Sequence, residues 1–163
     1  MSYDFIFFPV VEGEDPLETA HRKLDGDTES ILGTEADTPK EELNQRVKAA
    51  LVAANPYFEI FENDQVIELT SLQDGTGIQI RLFSGEAALS VPFWHEGRRA
   101  AKVFGDIWRY SDIIHREAGY VLYDPQLDAI LDLSRGYEAS LDLYSRTIKA
   151  VKQQNPGIIL GPP

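Results

Sequence analysis

The sequence predicts an α+β fold: one mostly antiparallel sheet of about six or seven strands, with about three helices packed mainly on one face. Apolar and polar residues alternate from residue 57 to residue 93, which is the period of two of a half-buried strand. Three other segments repeat their apolar residues at helical spacing. A chain of 163 residues is long enough for a single globular domain, so we expect one domain over 1–163.

The first segment, Tyr3 to Val10, is apolar on both sides of an extended chain, which is typical of a strand in the middle of a sheet. Asp15-Pro16 then predicts the start of a short helix that runs to Lys23. The following residues, 25–37, are acidic, hold two glycines and show little periodicity, which predicts a mobile acidic loop.

Three helix-start signals coincide at Thr38-Pro39-Lys40-Glu41: a capping hydroxyl, a first-turn proline and a glutamate that can bond back to the cap. A helix is therefore expected from here to Asn55-Pro56. Its predicted buried stripe consists of Leu43, Val47, Ala50, Leu51 and Ala54.

Turn residues divide the alternating region into short strands. The turns fall at Asn63-Asp64, at Asp74 to Gly77 and at Ser84-Gly85. Because consecutive strands joined by short turns pair with each other, we expect an antiparallel meander with one covered face.

Helical spacing returns from Glu96 to Ala118 and again from Tyr137 to Val151. Gly119 is a typical helix-ending residue for the first of these helices. The β-prone runs 120–123 and 129–133 lie between them and predict a hairpin. A short tail, 156–163, follows the last helix and includes apolar residues that must dock or be exposed.

The net charge of −12 is unevenly distributed. The first 42 residues contain twelve acids and three bases, which is −9 of the total. Such a field repels phosphate backbones, so nucleic acids are not expected as partners. A basic protein or a cation would be attracted, although high net charge also serves solubility.

Several classes of site are excluded by residue type. The chain has no cysteine, which rules out disulfides, thiolate metal sites and thiol nucleophiles. Its three histidines are far apart and none has a helical partner ligand, so we expect no metal and no cofactor. No serine-nucleophile elbow is present, and we expect no catalytic residues.

No run is long and apolar enough for a membrane span, and no basic segment precedes the first apolar run, so a cytoplasmic location is expected.

The bend Tyr123-Asp124-Pro125-Gln126 has two interpretations. Aspartate before proline is a favoured turn opening, which explains the bend as a hairpin connection. Alternatively, Tyr123, Asp124 and Gln126 together present an aromatic ring, a charge and an amide to a partner on a rigid loop.

Two further places carry residues typical of interfaces. Trp94, His95, Arg98 and Arg99 lie where a strand gives way to a helix, and such junctions often bind carboxylates or phosphates. The structural alternative is that the tryptophan is partly buried and the arginines are solvated. Trp108 lies beside the apolar stripe of its helix, where it either widens the core contact or forms an exposed anchor.

The opening MSYDFIFF and the passage EAGYVLYDPQ resemble small uncharacterised bacterial proteins that start Met-Ser-Tyr-Asp and end a helix before a Tyr-Asp-Pro-Gln turn. Some members of that group resemble the immunity proteins of polymorphic toxin systems. The resemblance covers about twenty residues and implies a non-enzymatic inhibitor of a toxin.

Charge and resemblance together favour a non-enzymatic cytoplasmic binding protein, an immunity-type inhibitor that binds a basic partner through an acidic surface. Two alternatives stay open. One is a small hydrolase-like enzyme that uses carboxylates near the 123–128 turn, and the other is a structural homo-oligomer built on a free strand edge or on the tail.

Overall fold

The structure, a computed structural model, describes residues 1–26 and 38–161. These residues form seven strands and four helices. Their bounds are β1 Ser2–Pro9, α1 Pro16–Leu24, α2 Thr38–Ala54, β2 Glu59–Glu62, β3 Ile67–Ser71, β4 Ile78–Phe83, β5 Glu86–Pro92, α3 Gly97–Ala118, β6 Tyr120–Asp124, β7 Ala129–Leu131 and α4 Glu138–Gln154. The predicted α+β class with a single antiparallel sheet is confirmed. The predicted loop 25–37 lies outside the described residues from position 27 onward, as do positions 162 and 163 of the tail.

The strands form one sheet in the order β2-β3-β4-β5-β1-β6-β7, and every neighbouring pair is antiparallel. β1 lies between β5 and β6, with Phe5 opposite Leu89 and Ile6 opposite Tyr123. This confirms the interior strand that the two-sided apolar pattern predicted. The meander β2 to β5 and the hairpin β6–β7 are also confirmed.

The main core lies between the sheet and three helices. Alternate strand residues point to this face, so Phe5, Leu89 and Ile80 are completely buried there. From the helix side, Leu51 of α2 and Phe104 of α3 pack into the same cluster. α4 adds two buried apolar residues, Tyr144 and Ile148.

The helix placement differs from the prediction in one respect. α2, α3 and α4 share one face, but a fourth helix, α1, packs on the other, where it contacts β6 and β7. There Ala20 covers Phe8 and Tyr123 in a second, smaller apolar cluster. The physical reason is that β1 and β6 are apolar on both faces, so the second face also needs cover.

The ends of the helices follow the sequence signals closely. Gly119 has a φ of +71° and its N–H donates to the carbonyl of His115 at 2.8 Å, which ends α3.

In the tail, Leu160 packs against the main core whereas Ile159 is 92% exposed. Within the described residues, no helix combines the length and apolar character that crossing a bilayer requires.

Candidate functional site

The Asp124 carboxylate, at the centre of the predicted bend, is completely buried, with 0% of its surface exposed. Its Oδ2 accepts hydrogen bonds from the hydroxyls of Tyr3 and Ser140, both at 2.7 Å. Asp124 therefore joins β1, β6 and α4 at one point. Burial is the larger cause, and the hydrogen bond to Asp124 the second, of a Tyr3 pKa far above its ordinary value. The tyrosine therefore stays protonated and acts as the hydrogen-bond donor.

The second oxygen of Asp124 shapes the bend itself. Oδ1 accepts from the backbone N–H groups of Gln126 at 2.9 Å and Leu127 at 3.1 Å, which is an Asx turn. With its amide nitrogen facing inward, the Gln126 side chain donates to the same oxygen and to the carbonyl of Asp4. All these donors lie within the chain, so the geometry supports the hairpin interpretation of the bend.

Tyr123 belongs to a different cluster, on the α1 side of the sheet. Its hydroxyl donates to Asp128 Oδ1 at 2.9 Å, and His21 Nε2 lies 2.6 Å from the same oxygen. The hydrogen bond between His21 and Asp128 raises the pKa of His21 and lowers that of Asp128. Burial, and then the bond to Asp128, raises the pKa of Tyr123 to about 12. No sequence pattern links His21 to Asp128, because 107 positions separate them.

We expect the contact between His21 of α1 and Asp128 of the β6–β7 turn to stabilise the fold in a pH-dependent way. The folded-state pKa of His21 lies above the unfolded value of about 6.5, so the stabilisation is complete below that pH. It is lost as the pH rises through the raised pKa. We expect the melting temperature of the wild type to exceed that of His21→Gln at pH 6 and to match it at pH 9.

The matched control for that comparison is His115→Gln. His115 is also exposed, but its Nδ1 lies 2.7 Å from the Tyr120 carbonyl. Among the described residues, no carboxylate forms a hydrogen bond with its ring. A melting-temperature difference for His21→Gln that is the same at both pH values would contradict the assigned ion pair.

His95 is buried in the connection between β5 and α3 and is held by neutral partners. Its Nε2 lies 2.7 Å from the Thr76 carbonyl, which only accepts, so this nitrogen carries the proton. Its backbone N–H donates to the Tyr144 hydroxyl at 3.1 Å, and that hydroxyl donates to the Pro92 carbonyl at 2.6 Å. Burial lowers the pKa of His95, so the imidazole is neutral near pH 7.

The β3–β4 turn is fixed against this junction. Asp74 accepts from Ser71 at 2.6 Å and from the Thr76 hydroxyl at 2.8 Å, and Arg99 donates to the Asp74 carbonyl at 2.8 Å. Burial opposes ionisation of Asp74, but the bonds from Ser71 and Thr76 outweigh it and lower its pKa. Trp94, half-buried, packs beside Gly77 of the same turn.

Two predicted contact residues lie outside these clusters. Arg98 is exposed at the start of α3. Trp108 is half-buried, and its Nε1 donates to the Arg135 carbonyl at 3.0 Å while its ring meets Tyr137 edge-on. The structure therefore assigns Trp108 to the margin of the core and leaves Arg98 at the surface.

Three of the predicted contact residues, Tyr123, Asp124 and His95, are buried and engaged inside the chain. The structure brings Asp124 and Gln126 together at the bend, and Trp94 and His95 against the β3–β4 turn. Tyr123 faces α1 instead, and Arg98 and Trp108 lie outside these clusters. In this structure the three buried side chains are bonded inside the chain and offer a partner little exposed surface.

The surface around α1 carries charged side chains that are exposed to solvent. The three bases in the last turn of α1, His21, Arg22 and Lys23, each lie against a carboxylate. They therefore do not offset the other acids nearby. Four of those acids are exposed and have no basic partner among the described residues: Glu12, Asp15, Glu18 and Asp25.

A cleft of about 370 Å³ lies between the end of α3 and the β6–β7 hairpin. Its lining includes the apolar residues Val121, Leu122 and Leu131 and the carboxylates of Asp112 and Asp132. Both carboxylates are already engaged: Asp112 pairs with Arg116 at 2.9 Å, and Asp132 accepts from Ser134 at 2.6 Å. The cleft therefore offers little free charge to a ligand.

Over the described part of the chain, no three potential ligands from histidine, aspartate and glutamate converge as a metal site would require. The chain matches no protein-family model, and comparisons with curated proteins and with solved structures find no match either.

Proposed function

We propose that this protein is a non-enzymatic binding protein that docks a basic partner protein through the acidic surface around α1. The observation that carries the proposal is the unbalanced charge there. Elsewhere, acids commonly pair with bases, as Asp106 does with Arg109 and Asp142 with Arg146. Around α1 the bases already pair with carboxylates of the same chain. The exposed acids Glu12, Glu18 and Asp25 are left to attract a cationic surface.

The position of α1 supports docking in a second way. Among the helices that the structure describes, only α1 packs on its face of the sheet, whereas α2, α3 and α4 share the opposite face. A partner that approaches α1 therefore meets the acids of residues 12–25 without meeting the bases of α2, α3 and α4. Such electrostatic complementarity increases association rates and suppresses wrong partners more than it adds affinity.

An immunity-type inhibitor is the form of this function that the sequence resemblance favours. Its acidic surface would cover a basic active site of a toxin, and the complex would form in the cytoplasm. A one-to-one complex in which the partner loses its activity is the expected behaviour.

Charge reversal tests the proposal. We expect Glu12→Lys/Glu18→Lys/Asp25→Lys to lose a partner that the wild type retains from an extract of the native cell at low salt. Added salt should release the same partner from the wild type, because screening shortens the reach of surface charge. The measurement is stoichiometric capture, followed by a test of the partner's activity with and without the inhibitor.

The matched control is Glu59→Lys/Asp64→Lys/Glu138→Lys, which changes the net charge by the same amount at exposed positions away from α1 that also have no basic partner among the described residues. It should retain the partner. Equal loss in both triple variants would show that only net charge matters, and retention in both would reject the α1 surface.

A further inference from the structure

β2 is an edge strand with unusual exposure of apolar side chains. All four of its residues are exposed, and they include Ile60 at 44% and Phe61 at 59%, while Tyr57 just before the strand is 66% exposed. Among the described residues, β2 pairs with β3 on one side and with no strand on the other. A free edge of this kind is a template for another strand.

The hydrogen-bond alternation of the β2–β3 hairpin shows which backbone groups face the free side. The Asn63 N–H donates to the Val66 carbonyl at 3.0 Å, so this pair is a hydrogen-bonded one. Bonded and non-bonded pairs alternate along an antiparallel ladder, and Ile60 opposite Leu69 is therefore a non-bonded pair. The N–H and carbonyl of Ile60 consequently point away from β3, toward the free edge.

We propose that the β2 edge pairs antiparallel with the β2 edge of a second copy of this chain, about a twofold axis at Ile60. In this register Ile60 lies opposite Ile60 of the second copy, and the two residues exchange two hydrogen bonds. Glu59 lies opposite Phe61 of the second copy, so no two acids face each other. The result is one continuous sheet of fourteen strands, twice the seven of a single chain.

Charge favours a second copy over a basic strand as the occupant. Lys48 donates to Glu62 at 2.6 Å, and Gln45 also donates to it, so that carboxylate is already neutralised. Only Glu59 of the strand has no cation beside it among the described residues. The proposed register places that remaining acid opposite Phe61 of the second copy, which keeps the direct repulsion across the edge small. A register centred on Glu59 would oppose two glutamates directly and is disfavoured.

The exposed apolar area limits the strength of the contact. Tyr57, Ile60 and Phe61 together offer roughly 600 Å² over two copies. Stable complexes bury about 1,200 to 2,000 Å², so the dimer is a weak one that forms with rising concentration.

Sedimentation over about 10 μM to about 1 mM protein tests the pairing. The wild-type mass should rise from 18.3 kDa toward twice that value. Ile60→Pro removes the outward N–H but no bond to β3, and the loss of two intermolecular hydrogen bonds should weaken the dimer about thirtyfold. Ile60→Val keeps the N–H and should dimerise as the wild type does.

A second pair of variants tests the register without proline. Phe61→Glu and Phe61→Lys lose similar apolar area, but the first places an acid opposite Glu59 and the second a base. Phe61→Lys should therefore dimerise more strongly than Phe61→Glu. A wild type that stays monomeric throughout, or equal behaviour of the two Phe61 variants, would overturn the proposal. Neither result would affect the capture experiment at the α1 surface, so the two proposals fail separately.

Discussion

Asp124→Ala is expected to destabilise the fold by about 4 kcal/mol. The variant leaves the hydroxyls of Tyr3 and Ser140 buried without their acceptor, and it removes the carboxylate that holds the Asx turn. For a chain of this length the loss corresponds to a fall in melting temperature of roughly 10 °C. Denaturant unfolding, followed by circular dichroism, measures the free energy directly.

The same experiment separates a structural bend from a functional site. Buried charges kept for function usually cost stability, so replacing them stabilises a protein, whereas removal of a structural carboxylate destabilises it. Tyr3→Phe and Ser140→Ala are the matched controls, each with an expected cost of about 1 to 2 kcal/mol, because each removes one hydroxyl and leaves the carboxylate other donors. An Asp124→Ala protein as stable as the wild type would refute the structural role.

Gly77→Ala is expected to cost about 3 kcal/mol. Gly77 has a φ of +66°, which an L side chain rarely adopts, and a Cβ there would lie 2.8 Å from Trp94 and 2.9 Å from Pro92. The substitution must therefore displace the β3–β4 turn from the Trp94-His95 junction. Denaturant unfolding gives the cost, and near-ultraviolet circular dichroism reports the change around Trp94.

Gly85→Ala is the control that isolates the clash. Gly85 also has a positive φ, of +84°, but a Cβ there meets no atom within 4 Å. Its expected cost is about 1 kcal/mol, from backbone strain alone. In a Trp94→Ala background, Gly77→Ala should become less costly because one of its two clashes is gone. If the two glycine substitutions lower the free energy of unfolding equally, the packing of the β3–β4 turn on Trp94 does not stabilise the fold.

Most of the fold follows from patterns within single segments. The turn residues at Asn63-Asp64 and Ser84-Gly85 mark the hairpins because they suit the backbone geometry of a turn, whatever surrounds them. The capping pattern from Thr38 and the glycine at position 119 mark helix ends for the same reason. The two-sided apolar pattern of β1 predicted its interior position correctly, since only an interior strand with both faces covered buries both sets of side chains.

The helix placement was only partly predictable. Periodicity shows that a helix has a buried stripe, but it does not show which face of the sheet covers that stripe. The position of α1 opposite the other helices depends on Phe8 and Tyr123, which share a face only because β1 pairs with β6. Tyr110 and Ile113 of α3 are also buried but were not predicted as core residues, because they lie beside the stripe that helical spacing predicts. That stripe consists of Ala100, Val103, Phe104, Ile107, Ser111, Ile114 and Ala118.

The sequence alone determined the chemical inventory and the local structure: an acidic, cysteine-free chain whose turns, caps and periodicities specify an antiparallel sheet with helices. Only the tertiary structure decided the roles of the polar residues. Tyr3 meets Asp124 across 121 positions and His21 meets Asp128 across 107, and both pairs depend on strand order and helix placement. Whether a carboxylate supports a fold or faces a partner is set by its burial and its donors, and these come from segments distant in sequence.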